Sequence, residues 1–125
     1  MKNTLLHATI GFFIVILGGI GELFYLTNLS NNFINLLGKI DGYESFYEKS
    51  VGVANFRDIW DKNKKILYML VDHQDIHKIE SILVESELIL KNNLNNSQIS
   101  TNFALLKLYI EDIPDERRFI LQNIL

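Results

Sequence analysis

The sequence predicts an all-α protein, with one N-terminal transmembrane helix followed by a small antiparallel helical bundle. An uncharged run near the N-terminus is apolar on every side, whereas the rest of the chain repeats apolar residues at helical spacing without sustained alternation. The chain has 125 residues, one proline and no cysteine, which excludes disulfides, thiolate-bound metal and thiol redox chemistry. We therefore divide it into an anchor, residues 1–27, and a soluble helical domain, residues 28–125.

The anchor rests on the segment from Asn3 to Gly21, which contains no formally charged side chain and is flanked by Lys2 and Glu22. Its 19 residues form a helix of about 28 Å, close to the ~30 Å thickness of a bilayer's hydrocarbon core. A soluble helix would show a polar face here. The alternative is a cleaved signal peptide, which the glycines near the end of the run permit but which favours a shorter apolar core and a more basic start.

The charges around the anchor predict its orientation. Lys2 and the amino terminus lie on the short side, and the first basic residue on the other side is Lys39. Because basic flanks stay on the cytoplasmic side, we expect the N-terminus in the cytoplasm and the domain outside the cell membrane. Gly11 and Gly18 are seven residues apart, which favours close approach of a second membrane helix. The predicted partners are therefore the lipid bilayer and either another membrane protein or a second copy.

Beyond the anchor, apolar residues at helical spacing extend the first helix to Gly38 or Gly42, either of which can end it. Residues 43–54 fit no clear pattern, and Gly52 is a weak point for a helix within them. A second helix is predicted over residues 55–71, because apolar residues line one broad face and charged residues the other.

Both faces of the second helix suggest ordinary structural roles. Trp60 falls on the apolar face, so we expect it to anchor the core. The other face carries Lys62, Lys64 and Lys65, flanked by two aspartates. Pairs of opposite charge at this spacing stabilise helices, so we expect a salt-bridged, solvated surface. The alternative is a site for lipid headgroups, if the cluster lies near the bilayer.

The remaining helices are marked by caps and breaks. Asp72 is expected to cap a third helix that ends near Lys91. The asparagine-rich stretch 92–97 is expected to form a loop, since asparagine and serine compete with helical backbone bonds. A fourth helix is predicted over residues 98–112, with Pro114 ending it and opening a short last helix.

Three segments in fixed order, together with the end of the chain, carry a family resemblance. They read Trp60-Asp-Lys-Asn-Lys-Lys-Ile66, Asp72-His73-Gln-Asp-Ile-His-Lys-Ile-Glu80, Leu106-Lys-Leu-Tyr-Ile-Glu-Asp-Ile-Pro-Asp-Glu116 and Asn123-Ile124-Leu125. The set resembles an uncharacterised family of small proteins from spore-forming Gram-positive bacteria, known only as a domain of unknown function. The resemblance implies an N-terminal membrane anchor and a compact helical domain ending in Asn-Ile-Leu. It covers most of residues 60–125, leaves residues 28–54 unmatched, and implies no functional residue.

The nearest approach to a metal site is the pair His73 and His77, which share a helix face at i, i+4 spacing, with Glu80 one turn further on. Zinc proteases of similar spacing carry a glutamate where this chain has Gln74, and an amide cannot act as a general base. Two imidazoles and one carboxylate give at most three ligands. We therefore expect no metal, no other cofactor and no catalytic residue.

The overall charge narrows the function further. The formal net charge is −3 and no basic stripe is present, which argues against a nucleic-acid partner. The leading hypothesis is a membrane-anchored interaction or accessory domain without enzymatic activity, partnering a larger membrane protein. The alternative is a metal- or ligand-sensing module that uses His73 and His77, and a small hydrolase comes third.

Overall fold

The computed structural model confirms the all-α prediction for the residues it describes, 2–93 and 96–124. Consecutive helices pack against each other, and the first also packs against the last, which closes a four-helix bundle. The helices are α1 (Lys2–Asp41), α2 (Phe46–Leu70), α3 (His73–Lys91) and α4 (Asn96–Ile124).

α1 is one continuous helix of 40 residues, about 60 Å long, so the prediction that it continues past the apolar run is confirmed. Its two halves have different surroundings. The side chains of residues 3–15 are all exposed, whereas Leu26, Phe33 and Ile40 are buried in the bundle. Among the described residues, α1 is the one helix long and apolar enough to cross a membrane, and only 6% of its most apolar window is buried.

α2 begins at Phe46, earlier than the predicted start at residue 55, and takes in most of the segment that the sequence left unassigned. Ser45 caps it, because its hydroxyl accepts a hydrogen bond from the Glu48 amide at 3.1 Å. Gly52 is no weak point: a Cβ there would lie 2.6 Å from Ile40 Cγ1. The missing side chain therefore lets α1 and α2 approach closely, which offsets the roughly 1 kcal/mol that glycine costs in a helix.

Trp60 anchors the core, as predicted, and is 0% exposed. Its ring centroid lies 5.7 Å from that of Phe33, which in turn lies 4.7 Å from that of Phe56. Such tilted aromatic contacts add to the free energy gained by burial. Closer to the apolar half of α1, the Tyr25 hydroxyl donates a hydrogen bond to Asn63 Oδ1 at 2.8 Å.

The predicted cap of α3 is confirmed: the Asp72 carboxylate accepts a hydrogen bond from the Gln74 amide at 2.9 Å. The predicted end at Lys91 is confirmed as well. After it, Asn93 turns the chain with a positive φ of 49°, which asparagine tolerates better than most residues.

The loop between α3 and α4 is shorter than the predicted span of residues 92–97. Residues 92 and 93 form a turn, residues 94 and 95 lie outside the described part of the chain, and α4 already begins at Asn96. The expected start of the fourth helix at residue 98 is therefore two residues late, which is within the usual uncertainty of helix ends.

The prediction that Pro114 ends the fourth helix is wrong, because α4 continues through it to Ile124. Proline has no amide hydrogen, so the carbonyl of Ile110 loses its normal donor one turn earlier. Ser30 on α1 replaces that donor: its hydroxyl donates to the Ile110 carbonyl at 2.9 Å. Ser30 is 3% exposed, so this hydrogen bond is shielded from water. The residues after Pro114 therefore belong to α4 and do not form the separate short helix that the sequence predicted.

α1 and α4 are antiparallel in a constant register: each advance along α1 corresponds, to within one residue, to an equal step back along α4. Four contacts along the two helices define this register. They join Gly19 to Leu121, Glu22 to Arg117, Ser30 to Ile110 and Asp41 to Ser100.

Replacing Ser30 by alanine should destabilise the protein, because the buried Ile110 carbonyl would lose its donor. We expect a loss of about 1–3 kcal/mol in the free energy of unfolding. The measurement is urea unfolding of the full chain in detergent, followed by the fluorescence of Trp60, the single tryptophan.

Pro114→Ala provides the internal control, since it restores the amide hydrogen. In that background Ser30→Ala should cost less than half as much. An equal cost in both backgrounds would show that Ser30 does not compensate for the proline.

Candidate functional site

The structure places His73 and His77 on the same face of α3, as their spacing predicts, and both rings pack against the ring of Tyr68. The Tyr68 ring lies 4.9 Å from the His73 ring and 6.1 Å from the His77 ring, both in edge-to-face geometry. His73 Nε2 lies 3.0 Å from the Tyr68 carbonyl oxygen. Since a carbonyl only accepts, Nε2 must carry the proton, and that nitrogen cannot bind a metal in the neutral ring.

Glu80, the third candidate ligand, is already engaged. Its carboxylate accepts from Lys64 Nζ at 3.1 Å and from the Tyr68 hydroxyl at 3.4 Å. The described residues contain no cluster of three His, Asp or Glu side chains able to hold a metal ion. Tyr68, His77 and Glu80, with Ser81 and Val84, line a surface groove of about 550 Å³. The arrangement favours packing around Tyr68 over metal chemistry.

The lysine cluster of α2 is salt-bridged, as expected, for two of its members. Lys62 pairs with Asp58 at 3.0 Å on the same helix, and Lys64 pairs with Glu80 on α3 at 3.1 Å. Lys65 is exposed. The Lys62–Asp58 pair is exposed, so it stabilises the fold only slightly, whereas the Lys64–Glu80 pair is half-buried and joins α2 to α3.

Three residues make polar contacts at the point where α1 leaves the bundle, and we call this group the polar collar. It consists of Glu22, Arg117 and Leu70, of which Leu70 contributes only its main-chain carbonyl. The Arg117 guanidinium lies 3.4 Å from the Glu22 carboxylate and donates to the Leu70 carbonyl, at the end of α2, at 2.7 Å. Arg117 therefore links α4 to the middle of α1 and to the last residue of α2. Sequence reasoning missed Arg117, because its partner Glu22 lies near the opposite end of the chain.

We call the side of the polar collar that faces the N-terminus of α1 the region below the collar. In this region the described structure consists of α1 and α4 alone. There a Cβ on Gly19 would lie 2.9 Å from Leu121 Cδ2, so the two helices are close. A groove of about 380 Å³ follows this contact, lined by side chains of α1 and α4 only. Arg118, next to the collar, pairs with Asp115 at 2.8 Å.

The fold and this site define a four-helix protein with an apolar helix projecting from a polar collar. The chain belongs to the family described as domain of unknown function DUF4363, which matches residues 22–124. No curated protein matches the chain, and no solved structure matches it. The family match begins at Glu22, where the uncharged run ends, and includes the residues 28–54 that the sequence resemblance left out. Its description names no activity, so it gives no residue a role.

Zinc should not stabilise the protein, because His73 and Glu80 are held by Tyr68 and Lys64. We expect equimolar zinc to leave the melting temperature of the full chain in detergent unchanged. His77→Ala should alter the free energy of unfolding by less than about 0.5 kcal/mol.

His73→Ala is the matched comparison, since it removes the hydrogen bond to Tyr68 and should cost about 1 kcal/mol. A clear rise in melting temperature with zinc that disappears in His77→Ala would overturn this assignment, because a ligand that binds only the folded state must stabilise it.

Proposed function

We propose that this protein is a single-pass membrane protein whose helical bundle acts as an interaction or accessory domain without enzymatic activity. The observation that carries the proposal is the exposure of the apolar half of α1. Phe13 is 59% exposed, Ile14 64% and Val15 70%. An apolar surface of this length, uncovered all around, is unfavourable in water and is typical of a helix solvated by lipid.

The continuity of α1 supports an uncleaved anchor over a signal peptide. Gly19 contacts Leu121, and Glu22 pairs with Arg117, so the glycine-rich stretch belongs to the α1–α4 pair. Cleavage in that stretch would cut a helix in mid-length and separate Leu121 from its contact. A signal peptide usually joins the mature domain through an accessible segment instead.

The orientation follows from the charges. Lys2 and the amino terminus flank the short side, while the first basic residue that follows the uncharged run in sequence is Lys39. We therefore place the N-terminus in the cytoplasm and the bundle outside. The bacterial, spore-forming source implied by the sequence resemblance belongs to the same proposal.

The interaction role is supported by the shape of the surface. The grooves around His77 and along Tyr47 lie at the surface, and the described residues contain no cluster of three side chains that could hold a metal ion. The proposed partner is a larger membrane protein that the anchored bundle meets at the bilayer. Crosslinking in native membranes followed by mass spectrometry tests this, and products containing only copies of the chain would contradict a separate partner.

If α1 is an anchor, the protein should remain in the membrane pellet after washing with alkaline carbonate and should keep its full N-terminal mass. The reason is that a span of 19 uncharged residues resists extraction that removes peripheral proteins. As a matched control, Ile14→Arg should reduce the membrane fraction, because a charge at mid-span is unfavourable. A shortened, soluble form of the unaltered chain would instead show a cleaved signal peptide.

The orientation is tested by labelling one introduced cysteine, which is simple because the chain has none. Leu108→Cys places it on an exposed site of α4 in the bundle. A maleimide that cannot cross membranes should label it in intact cells as fully as in permeabilised cells. Labelling only after permeabilisation would place the bundle in the cytoplasm.

A further inference from the structure

We propose that the last two turns of α4, residues 119–124, form a second lipid-contacting segment that enters the leaflet on the side of the bundle. They would lie along α1 where the headgroups give way to the upper acyl chains. The inference rests on the proposed membrane anchor and adds to it a second point of contact. Its occupant is lipid hydrocarbon.

The first argument is the surroundings of this segment. Phe119 is 65% exposed, Ile120 40% and Ile124 55%, and none of the residues 119–124 is charged. Only α1 accompanies the segment below the polar collar, so the bundle core does not cover these side chains. In water, the exposure of this large apolar surface at the end of α4 would be unfavourable.

The second argument is the level at which the segment lies. Glu22 is the first charged residue after the uncharged run, so the polar collar marks the headgroup region on that side. α4 passes the collar at Arg117 and continues antiparallel to α1, from Glu22 towards Val15. Seven residues separate Arg117 from Ile124, which carries the end of the helix about 10 Å below the collar.

The third argument is the continuity of the apolar surface. At the same level α1 exposes Val15 at 70% and Leu17 at 66%, so the two helices form one uncharged surface. The groove between them has a volume of about 380 Å³ and is lined mainly by uncharged residues, with Glu22 and Arg117 at the polar collar. A water-soluble partner would have to enter the bilayer to cover this surface, which favours lipid as the occupant.

A fourth observation comes from α2. Leu70 contributes its carbonyl to the polar collar, and the preceding Met69 is 77% exposed. Its flexible apolar side chain therefore lies at the collar, where the underside of the bundle would meet the headgroups. Phe119 and Met69 belong to different helices, so the apolar underside does not depend on α4 alone.

The depth has a physical limit. Polar groups without partners are disfavoured in hydrocarbon, and Gln122 and Asn123 place two polar side chains in this segment of α4. The segment should therefore stay at the boundary between headgroups and acyl chains, where water still reaches these two side chains.

The test uses nitroxide spin labels on single cysteines in the full chain, reconstituted in phosphatidylcholine vesicles. Oxygen concentrates in acyl chains, and a water-soluble nickel chelate stays outside, so their collision rates report the surroundings of each label. The test sites are Phe119→Cys and Ile124→Cys. Leu108→Cys is the matched control, an exposed apolar site on the same helix above the polar collar, and Ile14→Cys reports the anchor.

We expect the ratio of oxygen to nickel collisions at positions 119 and 124 to exceed that at 108 several-fold and to approach that at 14. Lipid-like values at 14 with water-like values at 119 and 124 would overturn the inference and leave the anchor intact. Low collision rates with both reagents at 119 and 124 would show a covering protein, either a second copy or a partner, and would also overturn it. Water-like values at 14 would overturn the anchor, and with it this inference.

Discussion

α1 and α4 lie side by side from Gly19 to Asp41, and at the middle of this pair the fold depends on one hydroxyl group. Pro114 deprives the Ile110 carbonyl of its amide donor, and Ser30 donates in its place. Because the site is buried, water cannot substitute. Without Ser30 the buried Ile110 carbonyl would have no donor, which would disfavour the close packing of α4 against α1 at this point. The polar collar and the lower groove both depend on the register of these two helices.

Much of the fold is readable from local signals. The apolar periodicity, the Asp72 cap and the end of α3 all act within a few residues of chain, so the sequence predicts them correctly. The burial of Trp60 is also predictable, because a large aromatic residue on an apolar helix face usually packs in the core. Local reasoning fails where the role of a residue depends on a contact with a residue that is distant in sequence. Gly52 weakens an isolated helix, yet here it admits Ile40.

The same distinction explains the candidate site. His73 and His77 share a face, as their spacing requires, but the spacing does not reveal that Tyr68 contacts both rings. Arg117 is the clearest omission, since its partners Glu22 and Leu70 lie on two other helices. A charged residue just before an uncharged apolar stretch is the one signal that could have identified it, because it mirrors the pattern around Glu22.

The unbroken course of α1 also sets the reach of the domain. No turn or linker separates the part of α1 below the polar collar from the part in the core, so the bundle cannot swing independently on a tether. From Glu22 to Asp41 the helix rises about 28 Å. If α1 spans a membrane as proposed, the bundle would follow any tilt or rotation of the span directly, because the helix between them is continuous. A partner would then have to contact the bundle close to the bilayer surface.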